Sequence, residues 1–369
     1  MTSPLLSCTN RSRRTPFSNK VEAAGVKAYT VYNHMLLPTI FSSLEEDYAH
    51  LKKAVQVWDV SCQRQVEIIG PDAHALLQMS TPRNLSKMPD DQCYYIPMVD
   101  QDGFMLNDPV AIKLDENRFW VSVADNDVKF YFMGLANGLK LNVDVFEPDV
   151  SPLSIQGPKS VELVEKVFGR EIAETKFFKY KKIIFSGKEM IIARSGWSHQ
   201  ACFEIYLDGS SYGESLWDEI FKAGKDLDVR AGCPNLIERI ESGLLSFGND
   251  VTLDHTPYEA GLGKYFDSDM SSMFLGHKNL INKRNPSRII KPIQIEGEPI
   301  NPLTYWIKIK DENNLFAGYI SSAVWSPEFK KNIAIGMVEK DFWNKEINLY
   351  IVLDNNEKRK IVLKDDFWS

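Results

Sequence analysis

Three short segments gather carboxylates, phenols and an indole inside otherwise apolar, β-rich surroundings. The first is Tyr94-Tyr95 followed by Leu106-Asn107-Asp108-Pro109, with Asp108 placed where a strand should resume after a turn at Gly103. A carboxylate entering a strand costs free energy unless it is paired or functional. The residues alone leave two readings for Asp108: a turn-capping or surface carboxylate, or an active carboxyl tuned by its surroundings. The second segment is Arg194-Ser195-Gly196-Trp197-Ser198, running into Phe203-Glu204-Ile205-Tyr206. Glu204 and Tyr206 are two apart in a predicted strand and so share a face, opposite Phe203 and Ile205. That face is either the solvated one or the wall of a pocket. The third is the aromatic stretch Tyr29 to Asn33, read as a loop carrying Tyr32 and Asn33.

Other chemistries lack their motifs. There is no G-x-x-x-x-G-K-[ST] phosphate loop, and Gly261-Leu262-Gly263 lacks the third glycine and the preceding strand of a dinucleotide fingerprint. No G-x-S-x-G nucleophile elbow is present. The six histidines show neither H-E-x-x-H nor a paired helical spacing, so no metal is expected.

The elements that must carry these residues are strands and short helices. A helix is predicted from Ser42, with Ser42 and Glu45 as a capping box and Leu44, Tyr48, Leu51 and Val55 as the buried face. Gln65 to Ile69 reads as a strand, broken by Gly70-Pro71 and followed by a helix from Ala73. The same order returns with Leu153 to Ile155, Gly157-Pro158 and a helical run through Val161, Leu163, Val164 and Val167. Repetition of strand, Gly-Pro and helix reads as an internal duplication of an α+β unit. Strands are expected at 94–99, 110–114, 118–123, 182–185, 190–193 and 203–207, with helices at 127–139, 211–222 and 234–244. From about Asn285 only short strands separated by turns remain, which suggests a small barrel or sandwich. The expected fold class is therefore α+β: two related α+β domains and a C-terminal β-barrel-like domain. The expected boundaries are 1–50 with 145–280 for the first unit, 51–144 for the second and 281–369 for the third.

The chain has 369 residues, with Lys+Arg 43 against Asp+Glu 50 and a net charge of −7, which argues against a nucleic-acid partner. At 44% hydrophobic residues it is no disordered chain, and no run of 18 apolar residues suggests a membrane span. Arg11, Arg13 and Arg14 are followed by no apolar core, so no secretory signal is read. Five scattered cysteines, Cys8, Cys62, Cys93, Cys202 and Cys233, fit a reduced cytoplasm rather than a disulfide framework.

Gln92-x-x-Tyr95, Gly103 and Leu106-Asn107-Asp108 resemble the signature of the glycine-cleavage T-protein family of folate-dependent aminomethyltransferases. Arg194-Ser195-Gly196-Trp197, Phe203-Glu204-Ile205, Gly248-Asn249-Asp250, Glu259-Ala260-Gly261-Leu262 and Gly318-Tyr319-Ile320-Ser321-Ser322 continue it in the family's order. The stretch from Val21 to Pro38, Val57-Trp58-Asp59-Val60 and Arg64 to Ile68 resemble the dimethylsulfoniopropionate (DMSP) demethylase branch of that family. The resemblance implies three domains around a central tetrahydrofolate channel. It implies Asp108 as the active-site aspartate, Glu204 as the glutamate that hydrogen-bonds the pterin, and Tyr95 and Tyr206 as channel-lining rings. Three departures accompany it: Gly196 to Cys202 where the family has G-Y-T-G-E-D-G, Pro234-Asn235-Leu236 where it has A-R-D, and Ala124 where it has an asparagine.

These departures fit a different methyl donor in the same folate-bound frame. The implied reaction moves an S-methyl group from DMSP to tetrahydrofolate, giving 5-methyltetrahydrofolate and 3-(methylthio)propanoate without a metal. A sulfonium methyl is already activated, so positioning supplies most of the catalysis, ~7–11 kcal/mol in well-oriented reactions. Ring faces of Trp197, Tyr32 and Tyr206 are candidates to hold the cation, at roughly 0.5–2 kcal/mol each. Ser122 is a candidate hydrogen-bonding residue, and Asp108 with Tyr206 the catalytic pair. The alternatives are an aminomethyltransferase and a non-catalytic folate-binding protein. The expected partners are these two small molecules, with a homodimer left open.

Overall fold

The computed structural model describes residues 9–267, 271–303, 305–343 and 346–368, so Cys8 lies outside the described residues. Both Gly-Pro sequences end a strand and open a helix: Gln65–Ile69 precedes Ala73–Met79, and Val150–Gln156 precedes Ser160–Phe168. Each glycine has a φ closed to other residues, +141° at Gly70 and +118° at Gly157. A Cβ would meet the carbonyl oxygen of Asn142 at 2.5 Å in the first case and that of Ala54 at 2.4 Å in the second. The two copies share this close backbone crossing as well as their order of elements.

Each copy belongs to its own sheet. The five-stranded sheet runs Asp144–Phe146, Gln65–Ile69, Arg118–Ser122, Val110–Asp115 and Cys93–Tyr95. The six-stranded sheet runs Tyr180–Phe185, Lys188–Ala193, Cys202–Asp208, Val150–Gln156, Val55–Asp59 and Val229–Gly232. Helices cover the outer face of each, burying Val66, Ile68, Phe119 and Val121 in one and Leu153, Ile155, Phe203 and Ile205 in the other. The inner faces meet through Ile112 and Trp120 from one sheet and Ile191, Ala193 and Tyr206 from the other. The C-terminal strands close a six-stranded barrel, in the order Arg288–Ile295, Lys331–Glu339, Phe316–Ser326, Ile307–Asp311, Leu349–Val352 and Lys358–Leu363. No helix among the described residues is long and apolar enough to cross a membrane.

Several local expectations shift. The first helix of the predicted series is Leu44–Leu51, and its cap is Ser43, whose hydroxyl accepts from the Glu46 N–H at 3.1 Å. Ser42 and Glu45 have the same spacing one residue earlier, but the Ser42 N–H is already held by Asp47. Val55 leaves that helix and begins a strand. That strand, Val55–Asp59, was expected in the second unit; it pairs instead with Val150–Gln156 in the six-stranded sheet. All five of its residues are buried, so packed layers cover both faces of the strand. The expected break at residue 145 falls inside strand Asp144–Phe146, which pairs with Gln65–Ile69. Tyr29 to Asn33 forms no loop. Ala28–Tyr32 and Met35–Ile40 form a hairpin whose two turn residues, Asn33 and His34, have φ of +50° and +62°. A histidine where glycine usually follows asparagine hides this turn from a sequence reading.

Candidate active site

Asp108 lies just before strand Val110–Asp115, where its carboxylate accepts a hydrogen bond from the Tyr95 hydroxyl at 2.8 Å. The carboxyl is half-buried, and desolvation raises its pKa to about 7 in spite of the Tyr95 bond. Tyr95 and Tyr32 are close enough for the Asp108 charge to add to the burial that drives both phenols upward. Tyr265 packs edge-on against Tyr95, with centroids 5.1 Å apart. Arg83 binds the Tyr95 carbonyl at 2.7 Å and stacks over Tyr94. Tyr265 and Arg83 escape the sequence reading, because nothing local ties them to Tyr95.

Pairing registers carry this group toward the other sheet. Val110 lies opposite Tyr95 and opposite Ser122, and Ser122 lies opposite Gln65. Residues directly opposite in an antiparallel pair share a face, so these four form one row. The row faces Tyr206, whose ring lies 6.2 Å from that of Trp120.

Glu204 and Tyr206 take the inner face of the six-stranded sheet, and that face is covered, not solvated: Glu204 is 6% and Tyr206 0% exposed. The Ser195 hydroxyl donates to the Glu204 carboxylate, which opposes the upward pull of burial on that carboxyl. The Tyr206 hydroxyl is buried without a hydrogen bond. The Ser122 and Ser195 hydroxyls lie near enough to favour its ionised form against burial, but neither makes a well-aligned hydrogen bond with it.

Trp197 is placed differently. The Arg239 guanidinium lies 6.0 Å from its ring centroid, and Arg239 is paired with Asp250 at 2.7 Å. No ring contact or hydrogen bond among the described residues joins Trp197 to Tyr32 or Tyr206. The loop after Trp197 is fastened by Glu238, which accepts from the His199 N–H and the Gln200 amide, both at 3.0 Å. In the Pro234-Asn235-Leu236 departure, Asn235 caps helix Leu236–Ser242 by accepting from the Ile237 N–H at 3.0 Å. Open clefts lie elsewhere: one of about 510 Å³ along Arg194 and His199–Cys202, and one of about 400 Å³ among Arg13, Arg64 and Ser151. Neither is lined by Asp108, Glu204 or Tyr206. Among the described residues no cluster of metal-ligating side chains occurs.

Tyr32 owes its place to its neighbour. The Asn33 amide donates to the carbonyls of Cys62 at 2.9 Å and Ala124 at 3.0 Å, and its oxygen accepts from the Asn126 N–H at 2.9 Å. Its backbone N–H donates to Asp125 at 2.8 Å. This clasp holds the hairpin tip against the loop at the Ala124 departure. Asn33→Gly keeps the left-handed φ but removes the side-chain bonds. We expect it to lower stability by about 1–3 kcal/mol, the cost of leaving buried partners unpaired, in a urea melt. Unchanged stability would show the clasp to be idle.

The GCVT N-terminal domain matches residues 17–270. The chain is 49% identical over 362 residues to dimethylsulfoniopropionate demethylase DmdA of Ruegeria pomeroyi, covering 98% of each chain. It is 27% identical over 342 residues to an aminomethyltransferase of Caldanaerobacter subterraneus, covering 90% of each. The crystal structure of the glycine cleavage system aminomethyltransferase T from Bartonella henselae superposes with a TM-score of 0.85 at 20% identity. That match covers 96% of this chain and 97% of that one, a common fold. The chain belongs to the glycine-cleavage T-protein (GCVT) family.

Proposed function

We propose that this protein transfers the S-methyl group of dimethylsulfoniopropionate to tetrahydrofolate, giving 5-methyltetrahydrofolate and 3-(methylthio)propanoate. The observation that carries this reading is the 49% identity, end to end, with a relative named for demethylating that sulfonium compound. The aminomethyltransferase is far less similar, at 27%. The inner layer fits a polar heterocycle. It holds a buried carboxyl, Glu204, and two buried polar atoms with no partner, the Tyr206 hydroxyl and Gln65 Oε1.

Tetrahydrofolate, when bound, supplies the nucleophilic ring nitrogen that accepts the methyl group and gives up a proton. The carbon–sulfur bond breaks with its electron pair kept by sulfur, so the leaving group is a neutral thioether. Glu204, Tyr206 and Tyr95 hold the pterin between the sheets. Asp108, with a pKa near 7, is poised at neutral pH to take the released proton on its carboxylate. Tyr32 lines the donor side, Trp197 offers the ring face away from Arg239, and Ser122 supplies a hydroxyl. Asp250 neutralises Arg239, so the guanidinium over Trp197 does not repel the sulfonium. Four buried thiols with no disulfide among the described residues suit the reducing cytoplasm we assign to the protein.

The test is methyl transfer by the purified protein from DMSP to tetrahydrofolate, with an aminomethyl-lipoyl protein as the competing donor. Formation of 5-methyltetrahydrofolate from DMSP alone supports the assignment; transfer only from the lipoyl carrier removes it. Glu204→Gln is expected to raise the folate KM about 10–100-fold, the worth of a charge-assisted hydrogen bond. Trp197→Ala should act on the DMSP KM instead, by roughly 3–30-fold. Equal effects of both variants on both substrates would show these roles to be misassigned.

A further inference from the structure

Gln65 lies at the end of the row that faces Tyr206, with no exposed surface. Its amide nitrogen donates to the Gln63 carbonyl at 2.7 Å and to the Ser122 hydroxyl oxygen at 2.9 Å. These contacts fix the orientation of the amide, because a flipped group would set oxygen against the Gln63 carbonyl oxygen. The amide oxygen is then buried with no hydrogen bond. It shares this condition with the Tyr206 hydroxyl, and Ser122 stands beside both side chains. Unpaired buried polar atoms are rare, because each costs about 1–3 kcal/mol. Two in one layer between the sheets mark a place that a ligand completes.

An amide oxygen only accepts hydrogen bonds. A sulfonium carboxylate such as DMSP has no N–H or O–H to offer, whereas a reduced pterin carries several N–H groups. We infer that Gln65 is a folate-reading residue whose Oε1 accepts a hydrogen bond from an N–H of the reduced pterin. This rests on the folate-dependent reading above and adds a contact to it from the five-stranded sheet, opposite Glu204. The pterin is thereby gripped from both α+β units.

The test compares Gln65→Met and Gln65→Glu with the native protein. Folate affinity is read by direct binding of tetrahydrofolate under reducing conditions, and the DMSP KM at saturating folate. Gln65→Met keeps the length of the side chain and loses its polar atoms. We expect its folate Kd to weaken about tenfold while the DMSP KM stays within about twofold. Gln65→Glu, when protonated, keeps both features: its hydroxyl donates to Gln63 and its carbonyl oxygen occupies the Oε1 position. It should bind folate more tightly than Gln65→Met, and, relative to the native protein, more tightly at pH 6 than at pH 8. A folate Kd for Gln65→Met within twofold of native overturns the inference, because Oε1 then held only a water. So does a parallel rise in Kd and DMSP KM, or a Gln65→Glu variant no better than Gln65→Met. Failure of the native protein to bind tetrahydrofolate at all would instead overturn the proposed function.

Discussion

Asp108→Asn is expected to melt higher than the native protein at pH 8 and to have lost about 10²–10⁴-fold in methyl transfer. The carboxyl ionises near 7 in the folded chain, against ~3.9 in an unfolded one. Between those values the folded state holds a proton that the unfolded state has released. Stability therefore falls as pH rises through this window, and the loss is complete above about 7. At ~1.4 kcal/mol per pH unit the upper bound is about 4 kcal/mol. Water reaching the half-buried group lowers this, and we expect about 2 kcal/mol, or a rise of several degrees in Tm. Asparagine carries no such cost and still accepts from Tyr95. The gain should shrink at pH 5, where the native carboxyl is protonated. Thermal unfolding at both pH values decides it: an Asp108→Asn protein no more stable at pH 8 would mean that the carboxylate is not strained there. The native rate should rise with pH through the same region, and Tyr95→Phe should move that inflection upward, since the phenol favours the ionised form.

The second large effect concerns the foundation under Trp197. Arg239 and Asp250 are 7% and 0% exposed at the side chain, and their nitrogen and oxygen lie 2.7 Å apart. Asp250 also accepts from the Ser321 and Ser322 hydroxyls, both at 2.6 Å, and from the Ser246 N–H at 2.9 Å. Asp250→Ala leaves a buried guanidinium uncompensated and strands those donors, which should cost about 3–5 kcal/mol. The pair and its serines join helix Leu236–Ser242 to barrel strand Phe316–Ser326, so both should loosen together when it is broken. Replacing both charges, as in Arg239→Met with Asp250→Ala, should cost less than Asp250→Ala alone, because no lone charge remains. Chemical unfolding of the native protein, Asp250→Ala, Arg239→Met and the double variant checks this; a double variant as weak as the sum of the singles would deny the coupling.

Local signals located most of the strands. The alternation from Phe203 to Tyr206 put Glu204 and Tyr206 on one face, and the Gly-Pro repeats marked two units whose glycines both meet a backbone carbonyl. The same signals failed where two registers compete or partners are distant. Ser42 and Ser43 offer equal caps, and Val55–Asp59 carries no mark of the sheet that buries it. The Asn33-His34 turn lacks the glycine that announces such hairpins.

The order of residues by itself determined the family, the α+β units, the terminal barrel and the residue types available for chemistry. These follow from periodicity, turn composition and motif order, all properties of neighbours along the chain. Only the folded chain decided that Asp108 meets Tyr95, that Gln65 Oε1 and the Tyr206 hydroxyl lie without hydrogen bonds in one layer, and that Arg239 lies over Trp197. Contacts of this kind join residues tens of positions apart, and a strand's alternation says which side chains share a face but not what comes to cover it.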